Sequence, residues 1–183
     1  MAQPGTVFVD RDGVINRKLR GGAYVNEVSQ FELLPGAASA LAALSNAGSR
    51  VIVVTNQQGV AKGLTQPQAL DQIHQQLYAA VTAAGGEIAA IMVCPHLEGS
   101  CDCRKPRIGL FVEAQRRFPQ IEFSDSVVIG DSACDIEAAE RMGADAIFVT
   151  SEQSEPTESL CAVDSLTGAV ELLLSPERAG NEV

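Results

Sequence analysis

Residues 6–16 read TVFVDRDGVIN, and this stretch decides the fold. TVFV (6–9) is a short apolar, β-branched run of the kind buried in a parallel sheet. It breaks directly into Asp10 and Asp12, with Gly13 freeing the backbone for a sharp turn. Four more runs have the same build: VIVVT (51–55), IAAIMVC (88–94), SVVIG (126–130) and AIFVT (146–150). Between them, residues 35–47, 65–84, 107–118 and 133–142 carry helical spacing. Thr65 and Asp131 to Ser132 are placed as N-caps, and Gly48, Gly85 and Gly143 as stops. LTGAVELLL (166–174) predicts a closing helix. Five strands alternating with helices predict an α/β chain whose parallel sheet is covered on both faces.

In such sheets ligands sit beyond the carboxyl ends of the strands, which directs attention to Asp10, Thr55, the loop from Cys94, and Asp131. Of the two carboxylates at 10 and 12, one can attack phosphorus while the other protonates the leaving oxygen and later activates water. The plainer reading is an acidic turn at a strand end. In VVTNQQG (53–59) the Thr55 hydroxyl and the N–H groups after it suit phosphate oxygens, or merely cap the strand. CRKPRIG (103–109) offers Lys105 as a cation for a phosphoryl group, against a solvated basic patch with Arg104 and Arg107. In SVVIGDSACD (126–135), Asp131 and Asp135 bracket one helical turn. Their hard oxygens suit magnesium, which Asp10 and Asp131 together would hold, while N-capping by Asp131 is the structural alternative. Each of the four signals follows its own strand of one alternating pattern.

A fifth feature is CPHLEGSCDC (94–103). Cys94, His96, Cys101 and Cys103 offer three thiolates and an imidazole, the closed four-ligand set of a structural zinc site. With no position left open for water, such a zinc orders a loop and activates nothing. The alternative is a cluster of reduced surface cysteines.

The bulk properties agree with this reading. A chain of 183 residues with 46% hydrophobic content supports one domain over 1–183. The net charge of −10 is uneven: residues 1–150 carry 16 acids against 12 bases, while the acidic C-terminal segment 151–183 carries 7 acids against Arg178. SEQSEPTES (151–159) reads as a surface linker. Without a long basic stripe the chain is not built to hold a nucleic acid. No apolar run approaches a bilayer span, and MAQPGTVFVD lacks the start of a signal peptide, so a cytoplasmic, monomeric protein that needs no membrane is expected. His74 is placed on a helix surface, Met92 and Met142 in the core, and Cys134 and Cys161 as small unreactive thiols.

The ordered set DxD, Thr, Lys and GDxxxD over residues 6–150 resembles the four motifs of the haloacid dehalogenase superfamily. The resemblance implies a doubly wound, Rossmann-like parallel sheet and a magnesium-dependent phosphohydrolase. Asp10 would be the nucleophile that forms an aspartyl-phosphate and Asp12 the acid/base, with Thr55 and Lys105 completing the catalytic set. Magnesium would be held by Asp10, Asp12 and Asp131, with Asp135 in support. The loop 94–106, joined to DRDGVIN and VVTNQQG, resembles the D,D-heptose 1,7-bisphosphate phosphatases and, less closely, histidinol-phosphatases. That likeness implies a phosphosugar cleaved at C7. It also implies substrate contacts from Gly21, Gly22, Ala23, Tyr24, Thr55, Asn56, Gln57, Gln58, Arg104 and Lys105. Ser132 stands where many members of that family carry a lysine. The segments after Asp10 and Thr55 are too short for a separate cap domain, which implies an open site. A zinc-stabilised binding module and a phosphotransferase remain as alternatives.

Overall fold

A computed structural model describes residues 3–19, 21, 23–150 and 161–175. The linker 151–159, together with residues 160 and 176–183 of the acidic C-terminal segment, lies outside the described residues. Six parallel strands, β1 (Thr6–Val9), β2 (Arg50–Asn56), β3 (Ala90–Cys94), β4 (Ser126–Gly130), β5 (Asp145–Val149) and β6 (Cys161–Val163), form one sheet in the order 3-2-1-4-5-6. The helices are α1 (Ala37–Asn46), α2 (Pro67–Ala83), α3 (Gly109–Arg117), α4 (Ala133–Met142) and α5 (Leu166–Leu174). None of the described helices is long and apolar enough to cross a membrane.

β1 is buried along its whole length because it is central, with Val9 paired to Val53 on one side and Ile129 on the other. Its alternating side chains feed two cores. Val7 and Val9 pack with residues of α1, α2 and α5, such as Leu41, Leu77 and Val170. Phe8 faces α3 and α4, meeting Phe111 edge-on at a centroid distance of 5.0 Å. The sheet is therefore doubly wound, and the order of connections reverses between β1 and β4.

Two expectations need correction. The sheet has six strands rather than five: β6 is only three residues long, two of them exposed, and it is held by the free edge of β5. A strand that short has no apolar pattern to read, and its existence depends on the neighbour that pairs with it. Thr65 does not cap α2. Gln66 occupies the cap position before Pro67, and the Thr65 hydroxyl instead donates to Asn26 Oδ1 at 2.6 Å. Ser132 does take the cap position of α4, and Gly143 ends that helix in the left-handed region at φ 69°.

Candidate active site and metal cluster

The site is assembled at the carboxyl edge of β1, β2, β3 and β4. The Asp10 N–H still bonds the Ile129 carbonyl of β4 at 2.9 Å, so Asp10 leaves the sheet at its centre. The chain then turns at Gly13, whose φ of 100° disfavours any residue with a side chain. A Cβ there would lie 2.1 Å from Asp131 Oδ2, so the glycine also lets the loop press against the end of β4.

Lys105 reaches back from the loop after β3 and is almost wholly buried. Its ammonium donates to Asp10 Oδ1 at 2.7 Å and to the Val54 carbonyl at 2.6 Å, and it pairs with Asp135 Oδ1 at 2.6 Å. Asn56 holds the lysine's backbone from both sides, donating to its carbonyl and accepting from its N–H, each at 3.1 Å. Burial opposes the charge on Lys105, but Asp10 and Asp135 outweigh it and raise the pKa. Burial pushes the Asp10 carboxyl up to about 7; Lys105 pulls against this, and Asp135 and Asp131 add to it. Asp131 is likewise raised by burial, although Lys18 donates to its Oδ2 at 2.7 Å.

One carboxylate oxygen from each of Asp10, Asp131 and Asp135 lies within 4.8 Å of the other two. Asp131 Oδ1 is buried and has no hydrogen-bond partner among the described residues. Three close acids, one with an orphaned oxygen, are a donor set that fits a hard divalent cation. Of the three residues expected to hold that cation, only Asp10 and Asp131 direct their carboxylates here. Asp12 is turned aside and gripped by Arg11, whose Nη2 donates to its Oδ1 at 2.9 Å and Oδ2 at 2.8 Å. Asn16 donates to Asp12 Oδ1 at 3.0 Å and Gln57 to Oδ2 at 2.6 Å. Burial disfavours the Asp12 carboxylate, but Arg11 and these hydrogen bonds prevail and hold its pKa below the ordinary value.

The residues grouped as substrate contacts separate by their surroundings. Thr55 and Gln57 are buried, and Gln57 Nε2 also donates to Thr55 Oγ1 at 2.8 Å. Gln57 and Asn56 thus hold Asp12 and Lys105 in place. Gly21 and Ala23 are exposed, Gln58 is half-buried, and Gly22 lies outside the described residues. Lys62 donates to the Tyr24 hydroxyl at 3.0 Å and lies 5.3 Å from the centre of its ring, tying the two loops together. Arg104 Nη1 is buried and unpartnered among the described residues.

In the loop after β3, the ligand atoms of Cys94, His96, Cys101 and Cys103 also lie within 4.8 Å of one another. Sγ of Cys94 is 3.6 Å from that of Cys101 and 3.8 Å from His96 Nδ1, and Cys103 Sγ is 3.3 Å from Cys101 and 3.2 Å from His96 Nδ1. Metal–sulfur bonds of about 2.3 Å in a tetrahedron place sulfurs roughly 3.8 Å apart, so the set fits one tetrahedral ion with little adjustment. Cys134 is half-buried beside Ser132, and Cys161 is exposed on β6.

His74 is not on a helix surface. It is buried on the inner face of α2 with Leu70, Ile73, Leu77 and Val81, and its Nε2 lies 3.3 Å from Arg11 Nη1. Burial lowers its pKa to about 4, with Arg11 adding to the effect and Asp71 and Asp12 opposing it. The signal was present in the sequence: positions 70, 73, 74, 77 and 81 form one helical stripe, and His74 falls within it.

The HAD-hydrolase-like family model matches residues 102–169. The chain is 45% identical over 139 residues to a D-glycero-α-D-manno-heptose-1,7-bisphosphate 7-phosphatase of Mycobacterium bovis, covering 75% of this chain and 73% of that protein. It is 38% identical over 152 residues to a D-glycero-β-D-manno-heptose-1,7-bisphosphate 7-phosphatase of Pseudomonas putida, covering 82% and 85%. The crystal structure of D,D-heptose 1,7-bisphosphate phosphatase from B. bronchiseptica, complexed with magnesium and phosphate, superposes with a TM-score of 0.83 at 32% identity, covering 92% of this chain and 98% of that one. With likeness of that degree across most of both chains, this protein belongs to the heptose-1,7-bisphosphate 7-phosphatase family of HAD-like hydrolases.

Proposed function

We propose that this chain is a magnesium-dependent phosphatase that removes the C7 phosphate of D-glycero-D-manno-heptose 1,7-bisphosphate and serves the biosynthesis of nucleotide-activated heptose. The observation that carries the reading is Asp10: a strand-end carboxylate held at 2.7 Å by a buried lysine, among acids suited to a divalent cation. Magnesium would be held by Asp10 and Asp131, with Asp135 behind them, and when bound it supplies positive charge to the phosphoryl oxygens. An Asp10 oxygen attacks phosphorus, the bond to the sugar oxygen breaks, and Asp12 gives that oxygen a proton. Water then attacks the aspartyl-phosphate, Asp12 takes its proton, and inorganic phosphate leaves with Asp10 restored. Arg11 keeps Asp12 ionised in the resting site, the form needed for the second step. The negative charge of an arriving phosphate opposes Arg11 and favours the proton uptake needed for the first. Lys105 and the Thr55 turn steady the transferring group, while Arg104, with its unpartnered Nη1, takes the phosphate that remains.

The four-ligand cluster after β3 holds zinc in this reading and keeps Arg104 and Lys105 in register, because they directly follow Cys103. The segments 10–36 and 57–66 contain, among the described residues, no α-helix and no strand of the sheet, which supports an uncapped pocket. Selectivity must then come from a few polar contacts. Steady-state hydrolysis of both anomers of the heptose bisphosphate, of monophosphates and of histidinol phosphate tests the assignment. Asp10→Asn should abolish turnover with an unchanged circular dichroism spectrum. Arg104→Ala should lower kcat/KM for the bisphosphate by about 1.5–3 kcal/mol and spare monophosphates. Faster hydrolysis of histidinol phosphate than of either anomer would refute the substrate.

A further inference from the structure

Arg11 is wholly buried, and its guanidinium has only two neighbours that accept hydrogen bonds among the described residues. One edge, Nε and Nη2, meets the Asp12 carboxylate. The other edge, Nη1, meets His74 Nε2 at 3.3 Å from the inner face of α2. A buried guanidinium with one half of its fork unpaired would be costly, and it would be free to pivot about the carboxylate that holds the other half. His74 supplies the missing acceptor only as the neutral imidazole with its proton on Nδ1, and burial beside Arg11 favours the neutral form. Asp12 is thus fixed from three directions: Arg11 backed by His74, Asn16 from its own turn, and Gln57 from the end of β2.

We infer that His74 is a positioning residue, which through Arg11 sets the angle at which Asp12 delivers a proton to the leaving oxygen. The inference rests on the acid role of Asp12 given above. His74 touches neither substrate nor metal. Its effect lies in preorganisation, because a proton donor displaced by a fraction of an ångström loses much of its advantage while substrate binding is untouched. The other buried residues of α2 on this face are apolar, and the contact of His74 with Arg11 joins the helix to the catalytic loop.

Proton delivery is separable from general damage by the leaving group. A sugar alkoxide needs a proton to depart, whereas the phenolate of p-nitrophenyl phosphate leaves without one. kcat/KM reports the steps up to release of the alcohol and excludes later hydrolysis of the aspartyl-phosphate. His74→Phe keeps a ring of similar size without the acceptor; His74→Leu is the second choice should the first not fold. His74→Gln places an oxygen near the position of Nε2. The expected result is a fall of about ten- to a hundredfold in kcat/KM for the heptose bisphosphate in His74→Phe, part of the roughly hundredfold to ten-thousandfold that proton transfer supplies. The fall for p-nitrophenyl phosphate should be no more than about twofold, and His74→Gln should recover most of the loss. Equal losses on both esters, no loss on either, or no recovery with glutamine would overturn the inference. Asp12→Asn measured alongside separates the two claims. If it discriminates between the esters and His74→Phe does not, the positioning role falls and the acid role stands. If Asp12→Asn is itself indifferent to the leaving group, the acid role falls and takes the inference with it.

Discussion

Replacing Lys105 with methionine tests the electrostatic core of the site. Its side chain, 2% exposed, sets a buried ammonium against Asp10 at 2.7 Å and Asp135 at 2.6 Å, with the Val54 carbonyl taking a third donor. Methionine fills much of the same volume but leaves these acids uncompensated beside Asp131. Removing one partner of a buried pair costs about 3–5 kcal/mol. For a chain of this size that is a drop of roughly 6–20 °C in melting temperature. Urea titration in the presence of a chelator should show the loss directly. Magnesium should then stabilise the variant more than the parent, since a divalent ion replaces the missing positive charge, with about 2.7 kcal/mol expected at a hundredfold excess over Kd. The pH dependence has a definite sign. Asp10 already has its carboxyl raised to about 7, chiefly by burial, and losing the lysine raises it further. A carboxyl whose folded pKa is raised binds its proton more tightly when folded, so stability is recovered as pH falls from the folded pKa towards the ordinary value. The deficit should therefore be smaller at pH 5 than at pH 8. A loss below about 1 kcal/mol, or a deficit independent of pH and magnesium, would refute the picture of a cation balancing buried acids.

Three other outcomes are expected. Gly13→Ala should destabilise by at least about 1–3 kcal/mol and reduce turnover sharply, because the backbone sits at φ 100° and the new methyl meets Asp131; melting curves and kinetics together check this. Elemental analysis should find one zinc per chain, lost in Cys103→Ser together with a lower melting temperature; an unchanged melting temperature without metal would argue for merely reduced cysteines. His74 has a folded pKa near 4 against an ordinary 6.5, so the stability it contributes is complete above about 6.5 and lost as pH falls towards 4. The stability advantage of the parent over His74→Gln should accordingly shrink by about 3 kcal/mol between pH 7 and pH 4, as urea titration at several pH values would show.

TVFV, VIVVT and SVVIG read directly as buried strands because a strand covered on both faces must be apolar at every position, and that requirement appears in the sequence without any partner. The placement of Asp10, Thr55 and Asp131 followed from the same rule, since residues after successive parallel strands share one edge. The ligand set of Cys94, His96, Cys101 and Cys103 was legible because its chemistry lies within ten consecutive residues. Contacts between distant segments were decided only by the tertiary structure. β6 exists because β5 offers an unpaired edge, not because CAV favours a strand. Lys105 is drawn 95 residues back to Asp10, and the orientation of Asp12 away from the acidic cluster depends on Arg11, Gln57 and, behind them, His74. The sequence identifies which residues can ionise or coordinate. Which of them face each other, and so which carry a charge or a proton, depends on the packing of helices against the sheet, where burial and neighbouring charges set the balance.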